Sequence, residues 1–233
     1  YQGHRISSIT NSVSFDTSVD LQDGTDLEGN NRVRLPGLRD TSVEISGFFD
    51  GPEAQSIYDD LKNGNADTSV FSAAPRKTKN PGDRAFAFEG RMGEYQPGAS
   101  IGEIYGFTIN ISGTEPMVAG EIGDNATVTS SGNGPIINSG SVPEGQRFFA
   151  AVHIISASAD SGVTPSLTVN LQSGDSTFSG GGTTQATSKT FNDIGKEMLK
   201  VSGPITDSYW RASYTVSGSG ASFDVFLVFG VTQ

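Results

Sequence analysis

The stretch Arg32-Val-Arg-Leu-Pro-Gly-Leu-Arg-Asp-Thr-Ser-Val-Glu-Ile-Ser-Gly-Phe-Phe-Asp50, followed at once by Gly51-Pro-Glu-Ala-Gln-Ser-Ile-Tyr-Asp-Asp-Leu61, carries the clearest structural signal in the chain. Leu35-Pro36-Gly37-Leu38 predicts a tight turn, because Pro presets φ at the second turn position and Gly accepts φ > 0 at the third. From Thr41 the residues alternate. Val43, Ile45 and Phe49 take one face, and Ser42, Glu44 and Ser46 the other, the pattern of a half-buried strand. Then the period changes. Ala54, Ile57, Tyr58 and Leu61 fall at i, i+3, i+4 and i+7, one face of a helix. Asp50 serves as its cap, Pro52 suits its first turn, Glu53 complements its dipole, and Asn63-Gly64 ends it. At about three turns such a helix must pack on a sheet. Nothing in the stretch is a nucleophile, a metal-ligand set or a phosphate cradle, so its signature is architectural.

Working toward the N-terminus, residues 6–15 are rich in β-branched residues and read as a strand. Residues 16–32 hold Asp16, Asp20, Asp23, Asp26 and Glu28 with Gly24, Gly29 and Asn30-Asn31, and little here can be buried. The segment reads as a long loop or a projecting hairpin, an uncommon feature of compact domains and often a functional one. Working toward the C-terminus, strands are predicted over Thr68–Ala73, Ala85–Met92, Ile104–Ser112 and Met117–Thr129. A basic loop bounded by Pro75 and Pro81 lies between the first two.

Residues 130–141 form a Gly- and Ser-rich composition break, read as the boundary between a domain at 1–130 and another at 131–233. Beyond it Arg147–Ile155 is a nearly continuous apolar run, expected for a strand buried on both faces. Leu167, Val169 and Leu171 alternate, as do Trp210, Ala212, Tyr214 and Val216, and Phe223 through Val231. About a hundred residues of such short strands predict a β-sandwich.

The chain has 233 residues, no Cys and a formal net charge of −11. The missing thiols exclude disulfides and thiolate metal sites. The acidity argues against a phosphate grip, which needs Lys and Arg, but suits a surface that phosphate slides past. Residues 1–130 hold 19 acids and 10 bases, net −9, against 7 acids and 5 bases, net −2, in residues 131–233, which suggests two parts with different tasks. No apolar run approaches a membrane helix and no basic-then-apolar leader is seen. The first residue is Tyr1 rather than Met, so a processed or omitted start is expected.

Chemical motifs are weak. Gly98-Ala-Ser100-Ile-Gly102 matches the nucleophile-elbow pattern, yet strand is predicted after it where an elbow needs helix, and its base would have to be His153. Asp20, Asp23, Asp26 and Glu28 miss the spacing of a calcium loop, and a solvated acidic segment is the better reading. His4 and His153, the two histidines, are far apart, as a surface residue and a satisfied strand residue would be. Asp59-Asp60 fits the wet side of the helix. Arg76, Lys77 and Lys79 are too few to grip nucleic acid and fit pairing with an acidic neighbour. Tyr209, Trp210 and Tyr214 are candidate surface-recognition aromatics, with core packing as the stronger reading because of their alternate spacing. No enzymatic activity and no cofactor or metal are expected.

At Arg34-Leu-Pro-Gly-Leu-Arg-Asp40, Gly47-Phe-Phe-Asp-Gly51 and Tyr105-Gly-Phe-Thr-Ile-Asn-Ile-Ser-Gly113 the chain resembles the major tail tube proteins of long, non-contractile-tailed phages, over about residues 5–130. The second half is similar to the extra β-sandwich that many of them carry, through Pro165-Ser-Leu-Thr-Val169, Trp210-Arg-Ala-Ser-Tyr214 and the closing Phe223–Phe229 strand. The resemblance implies an all-β fold with one short helix: a tail-tube β-sandwich or barrel domain, then a decorating β-sandwich. It implies a structural virion protein in the phage tail, assembled in the host cytoplasm. Self-association would give stacked, hexameric rings around a DNA channel. The other partners implied are tail proteins such as a tape measure, tail tip and terminator, with no membrane involved. Inter-ring contact would fall on Asp16, Asp20, Asp23, Asp26, Glu28, Arg32, Arg34 and Arg39. The reading from a different class is a carbohydrate- or host-surface-binding module of two β-sandwiches, centred on aromatics such as Trp210.

Overall fold

The computed structural model describes residues 5–23, 34–48, 68–100 and 104–232. Every regular element among them is a strand, and the strands pair antiparallel, so the protein is all-β. In chain order these are β1 (Thr10–Asp23), β2 (Arg34–Phe48), β3 (Ser69–Ala73), β4 (Arg84–Gly98), β5 (Gly106–Gly113), β6 (Val118–Val128), β7 (Gly132–Asn133), β8 (Ile137–Asn138), β9 (Arg147–Ser158), β10 (Ser166–Gly174), β11 (Thr183–Thr187), β12 (Gly195–Ser202), β13 (Tyr209–Ser217) and β14 (Ser222–Val231). The helix expected through Ala54, Ile57, Tyr58 and Leu61 lies outside the described residues, as do Asp26, Glu28, Arg32, His4 and Asp59-Asp60.

The chain forms two compact units that are not consecutive blocks. One comprises residues 1–5, 70–88 and 118–233, the other residues 6–69 and 89–117. Residues 118–128 belong with the later strands because β6 pairs with β14 along its length, from Phe223↔Val128 to Phe229↔Glu121. Strand β4 gives its first residues to one unit and residues 89–98 to the other.

The larger unit is a β-sandwich. One sheet runs β6-β14-β9-β12, with the start of β4 beside β6. The other runs β11-β10-β13-β7, with β8 also on β13. Trp210, Phe148, Leu167, Val169, Phe223, Leu227 and Phe229 fill the space between them. Strand β9 is buried on both faces, as its apolar run predicts. Phe148, Ala150 and Val152 join that core, while Phe149 and Ala151 join a second cluster with Val70, Ala87, Ile122 and Val228.

The smaller unit is a sheet in the order β1-β2-β5 with residues 89–98 of β4 outermost. The alternation predicted from Thr41 is present: Val43 and Ile45 are buried, Ser42 and Glu44 exposed. Two expectations are revised. The early strand starts at Thr10, after a turn closed by the Thr10 N–H on the Ile6 carbonyl, and continues to Asp23. The segment from Asp16 to Asp23 is therefore strand, the hairpin alternative.

The Leu35-Pro36-Gly37-Leu38 turn is also overturned, because these residues lie inside β2. Gly37 does not take a positive φ. Leu21↔Pro36 and Val19↔Arg39 leave Asp20 opposite both Gly37 and Leu38, a bulge in β2. Cross-strand pairing outweighs the local Pro-Gly preference, and a bulge is one of the few strand positions that tolerate Pro. A Cβ on Gly37 would sit 3.0 Å from the Asp20 carbonyl oxygen, so Gly suits the close approach.

Candidate functional site

Strand β5 pairs with β2 only over Ser42–Phe48, whereas β1 pairs with β2 out to Asp23↔Arg34. Residues 34–41 and 16–23 therefore continue as a two-stranded ribbon. Eight residues at about 3.3 Å each make it roughly 26 Å long. Its residues whose burial is described are solvent-exposed on both faces apart from Thr41, including Val19, Leu21, Leu35 and the 87% exposed Leu38. An isolated two-stranded hairpin is marginal in water, so this ribbon needs something to lie against.

Side-chain direction follows from the register, since residues directly opposite each other share a face. On the ribbon, Asp16, Asp20 and Asp40 (opposite Ser18) share one face. Arg39 (opposite Val19) and Arg34 (opposite Asp23) lie on the other, with Thr17 and Leu21. The predicted contact residues thus sort into a carboxylate face and an apolar face with arginines. Asp20 and Asp23 fall on opposite faces, which separates two members of the considered calcium loop. Among the described residues no three His, Asp or Glu side chains could hold a metal ion together.

In the body of the smaller unit the asymmetry is sharper. Glu44↔Asn110↔Glu94 and Ser46↔Thr108↔Gln96 form cross-strand rows on one face, and Ser42 and Ser112 extend it. All of these are exposed or half-buried. The amides of Asn110 and Gln96 donate to the Glu94 carboxylate at 3.5 and 2.5 Å. The opposite face carries Val43, Ile45, Phe107, Ile109 and Ile111, all buried. One face of this sheet is thus a polar surface of hydroxyls, amides and carboxylates.

The sheet also has open edges. Among the described residues β1 pairs with β2 alone. Strand β4 pairs with β6 over Arg84–Ala87, with β5 over Gly90–Gly98 and with the five-residue β3, too short to line all fifteen of its residues. Beyond the end of the sheet opposite the ribbon is an open cleft of about 420 Å³ lined by Asn11, Ser46, Gly47, Gln96, Ile104 and Thr108.

Other candidates resolve as structure. Trp210 is 0% exposed, stacks on Phe148 with centroids 3.7 Å apart, and donates its indole N–H to the Gly140 carbonyl at 2.9 Å. Tyr214 is buried and donates to Asp124 Oδ2 at 2.6 Å, and burial together with this carboxylate raises its pKa. Neither offers an aromatic face to a ligand, so both are corrected from surface-recognition candidates to core. Tyr209, at the start of the same strand, is half-buried.

His153 bonds Ser72 Oγ through Nε2 at 2.8 Å rather than serving Ser100. It is 3% exposed, and its Nδ1 has no hydrogen-bond partner among the described residues, so no carboxylate orients it as a catalytic base would require. Burial, with Lys196 adding to it, holds its pKa well below the ordinary value. In the basic loop, Arg76 pairs with Asp83 at 3.1 Å, the acidic neighbour expected of it. Missing from the sequence reading was the polar face. Its signal lay in the even-numbered residues of 42–46 and 108–112 taken together.

No protein-family model matches the chain, and neither does any curated protein. It is similar to solved structures of a chain in the tail of an empty gene transfer agent particle with C6 symmetry (13% identity, TM-score 0.40, 48% of this chain and 81% of that one) and of a chain in the virion of a native gene transfer agent particle (13%, 0.39, 48% and 84%). It is also similar to the Dit protein of SPP1, from the hub adsorption apparatus of phages infecting Gram-positive bacteria (12%, 0.35, 100% and 98%).

Proposed function

We propose that this chain is a structural virion protein that polymerises as stacked rings into a tail tube, with the polar face of the smaller unit turned to the lumen. The observation that carries the reading is that sheet: one face buried, the other hydrophilic, and, among the described residues, β1 paired on one side alone and β4 covered only in part on its outer side. Each of its four strands is antiparallel to the next, so β1 and β4 run in opposite directions. Rotated copies set edge to edge would therefore pair antiparallel throughout and close a barrel without edges. Glu44 and Glu94, among hydroxyls and amides, would line a channel that repels phosphate and offers it no grip. Ring-forming function would lie within residues 1–130, and residues 131–233 would decorate the tube.

The ribbon supports stacking. Head-to-tail contacts that do not close generate filaments, and a ribbon of roughly 26 Å reaches beyond its own sheet by about the length of the Ser42–Phe48 segment. Asp16, Asp20, Asp23, Arg34 and Arg39, with Asp26, Glu28 and Arg32 in the same segment, are the proposed inter-ring residues. Tape measure, tail tip and terminator proteins would be the other partners, with DNA passing through unbound.

Electron microscopy of the purified protein tests this, together with a variant in which Ser18–Asp40 is replaced by Asn-Gly. Thr17 and Thr41 are directly paired, so a two-residue turn can close them. Rings or tubes with an axial hole are expected from the native chain, and folded single rings that do not stack from the variant. Tubes from the variant would remove the ribbon from stacking. A native chain that stays monomeric at every concentration and salt would end the tube reading.

A further inference from the structure

In a chain with net charge −11, the loop between β3 and β4 is unusual in carrying an excess of bases. It is also rigidly presented. Asp83 accepts from Arg76 at 3.1 Å and from the Asn80 N–H at 3.1 Å, Asn125 donates to the Lys79 carbonyl at 3.1 Å, and the Gly82 N–H bonds the Ile122 carbonyl at 2.8 Å. Asp83 is thereby committed to Arg76 and to the loop's own backbone. Among the described residues Lys77, Lys79 and the nearby Arg5 have no carboxylate within ion-pair distance. Arg5 is close enough to Lys79 for their charges to repel, and burial and this repulsion lower the Lys79 pKa. Arg5 also acts electrostatically on Asp224, whose oxygens already accept from Thr127 at 2.6 Å and Ser156 at 2.9 Å. Among the described residues this preorganised cluster of like charges has no ion-pair partner.

The matching surface is on the same chain. The ribbon displays Asp16, Asp20 and Asp40 on one face, with Arg34 and Arg39 on the other. Asp16 and Asp20 lie roughly 13 Å apart along β1, and Asp40, opposite Ser18, sits diagonally between them at about 7–8 Å from each, a spread that a short loop holding several bases can meet. We propose that Arg5, Lys77 and Lys79 form the receiving surface for the carboxylate face of the ribbon of a second copy. This rests on the stacking role of the ribbon and names its acceptor. Because both surfaces are exposed, the contact is screened by salt, and repetition around a ring gives it strength that single surface pairs lack.

The experiment is reciprocal charge reversal in the full chain, read as the sedimentable fraction and as tube length by electron microscopy across a salt series. Thermal unfolding checks that each variant is folded. K77E/K79E and D16K/D20K/D40K are each expected to lower the sedimentable fraction about tenfold at moderate salt, and their combination to restore it. If the native chain forms tubes while K77E/K79E forms them equally well at every salt, this acceptor is wrong and the tube reading survives. The acceptor is equally wrong if the combination restores nothing. Loss of binding to a duplex DNA probe by K77E/K79E with assembly intact would reassign the loop to a polyanion. If the native chain itself forms neither rings nor tubes, the underlying reading fails and the acceptor with it.

Discussion

Replacing Trp210 by Ala separates a core role from a recognition role for the one tryptophan. The side chain is fully buried, stacked at 3.7 Å on Phe148, and bonded through its indole N–H to the Gly140 carbonyl. Truncating a buried Trp to Ala costs about 3–5 kcal/mol, and leaving the Gly140 carbonyl unpaired adds about 1 kcal/mol. At roughly 3 °C per kcal/mol for a unit of this size, the sandwich transition falls by about 10–20 °C. Trp210→Phe keeps an aromatic ring on Phe148 but loses the hydrogen bond and some volume, so its loss is about 1–3 kcal/mol, or roughly 3–10 °C. Calorimetry is the suitable assay, because both variants lack the only tryptophan fluorophore and the two units need not melt together. A Trp210→Ala protein melting within about 3 °C of the native chain while losing affinity for a glycan column would refute the packing argument and revive the carbohydrate-binding reading.

Two further predictions concern the buried polar groups. Burial depresses the pKa of His153, so the unfolded chain takes up a proton below about pH 6.5 that the folded chain resists. Stability is fully present above that value and falls as pH drops, by up to about 1.4 kcal/mol per unit until the folded pKa is reached. Chemical unfolding of native and His153→Gln proteins from pH 7.5 to 4.5 should show the native chain losing more. Parallel curves would show that His153 does not titrate on unfolding. Tyr214→Phe removes the hydroxyl that a buried carboxylate accepts at 2.6 Å, for a loss of about 1.5–3 kcal/mol. In a double-mutant cycle with Asp124→Asn the losses should be clearly non-additive, and additivity within about 0.5 kcal/mol would deny the coupling.

What the sequence disclosed depended on how locally each element is determined. Val43 and Ile45 against Ser42 and Glu44, and Trp210, Ala212 and Tyr214 along β13, could be read because burial of one face writes period 2 into the chain. The run Arg147–Ile155 could be read because apolar clusters on both sides of β9 remove the need for alternation. Pro36-Gly37 misled because a dipeptide preference is small beside twelve paired positions between β1 and β2, which a local window does not see. Asp16–Asp23 read as a loop or a projecting hairpin because nothing there is deeply buried, while Val13, Phe15, Val19 and Leu21 kept the odd spacing of the strand that is found. Strand β11, Thr183–Thr187, has no buried residue at all and left no pattern to find, whereas β12 buries only Leu199 and Val201 in the core, an alternation too short to stand out.

The polar face, open edges and projecting ribbon were legible only as composition, because each becomes a surface through non-local register. Their meaning lies in what is left incomplete. A folded monomer gains nothing from a ribbon exposed on both faces, which orders about sixteen residues at a conformational cost near 1 kcal/mol or more each. It gains nothing from strand edges that no described strand covers, which invite aggregation, nor from Lys77 and Lys79 with no ion-pair partner among the described residues of a chain rich in acids. In the proposed assembly each loss is recovered by the same event, the arrival of identical copies. Edge pairing would join neighbours around an axis, and the ribbon would meet the next copy along it. Because the two contacts use different residues, they are separable. A variant without the ribbon should still pair edges and accumulate as single rings, whereas a Pro substituted in mid-β1 at Ser14 should disturb the edge while leaving ribbon residues 16–23 in place. Single rings from the first and no rings from the second would show two independent interfaces. Identical defects from both would show that ring closure and stacking are one cooperative step.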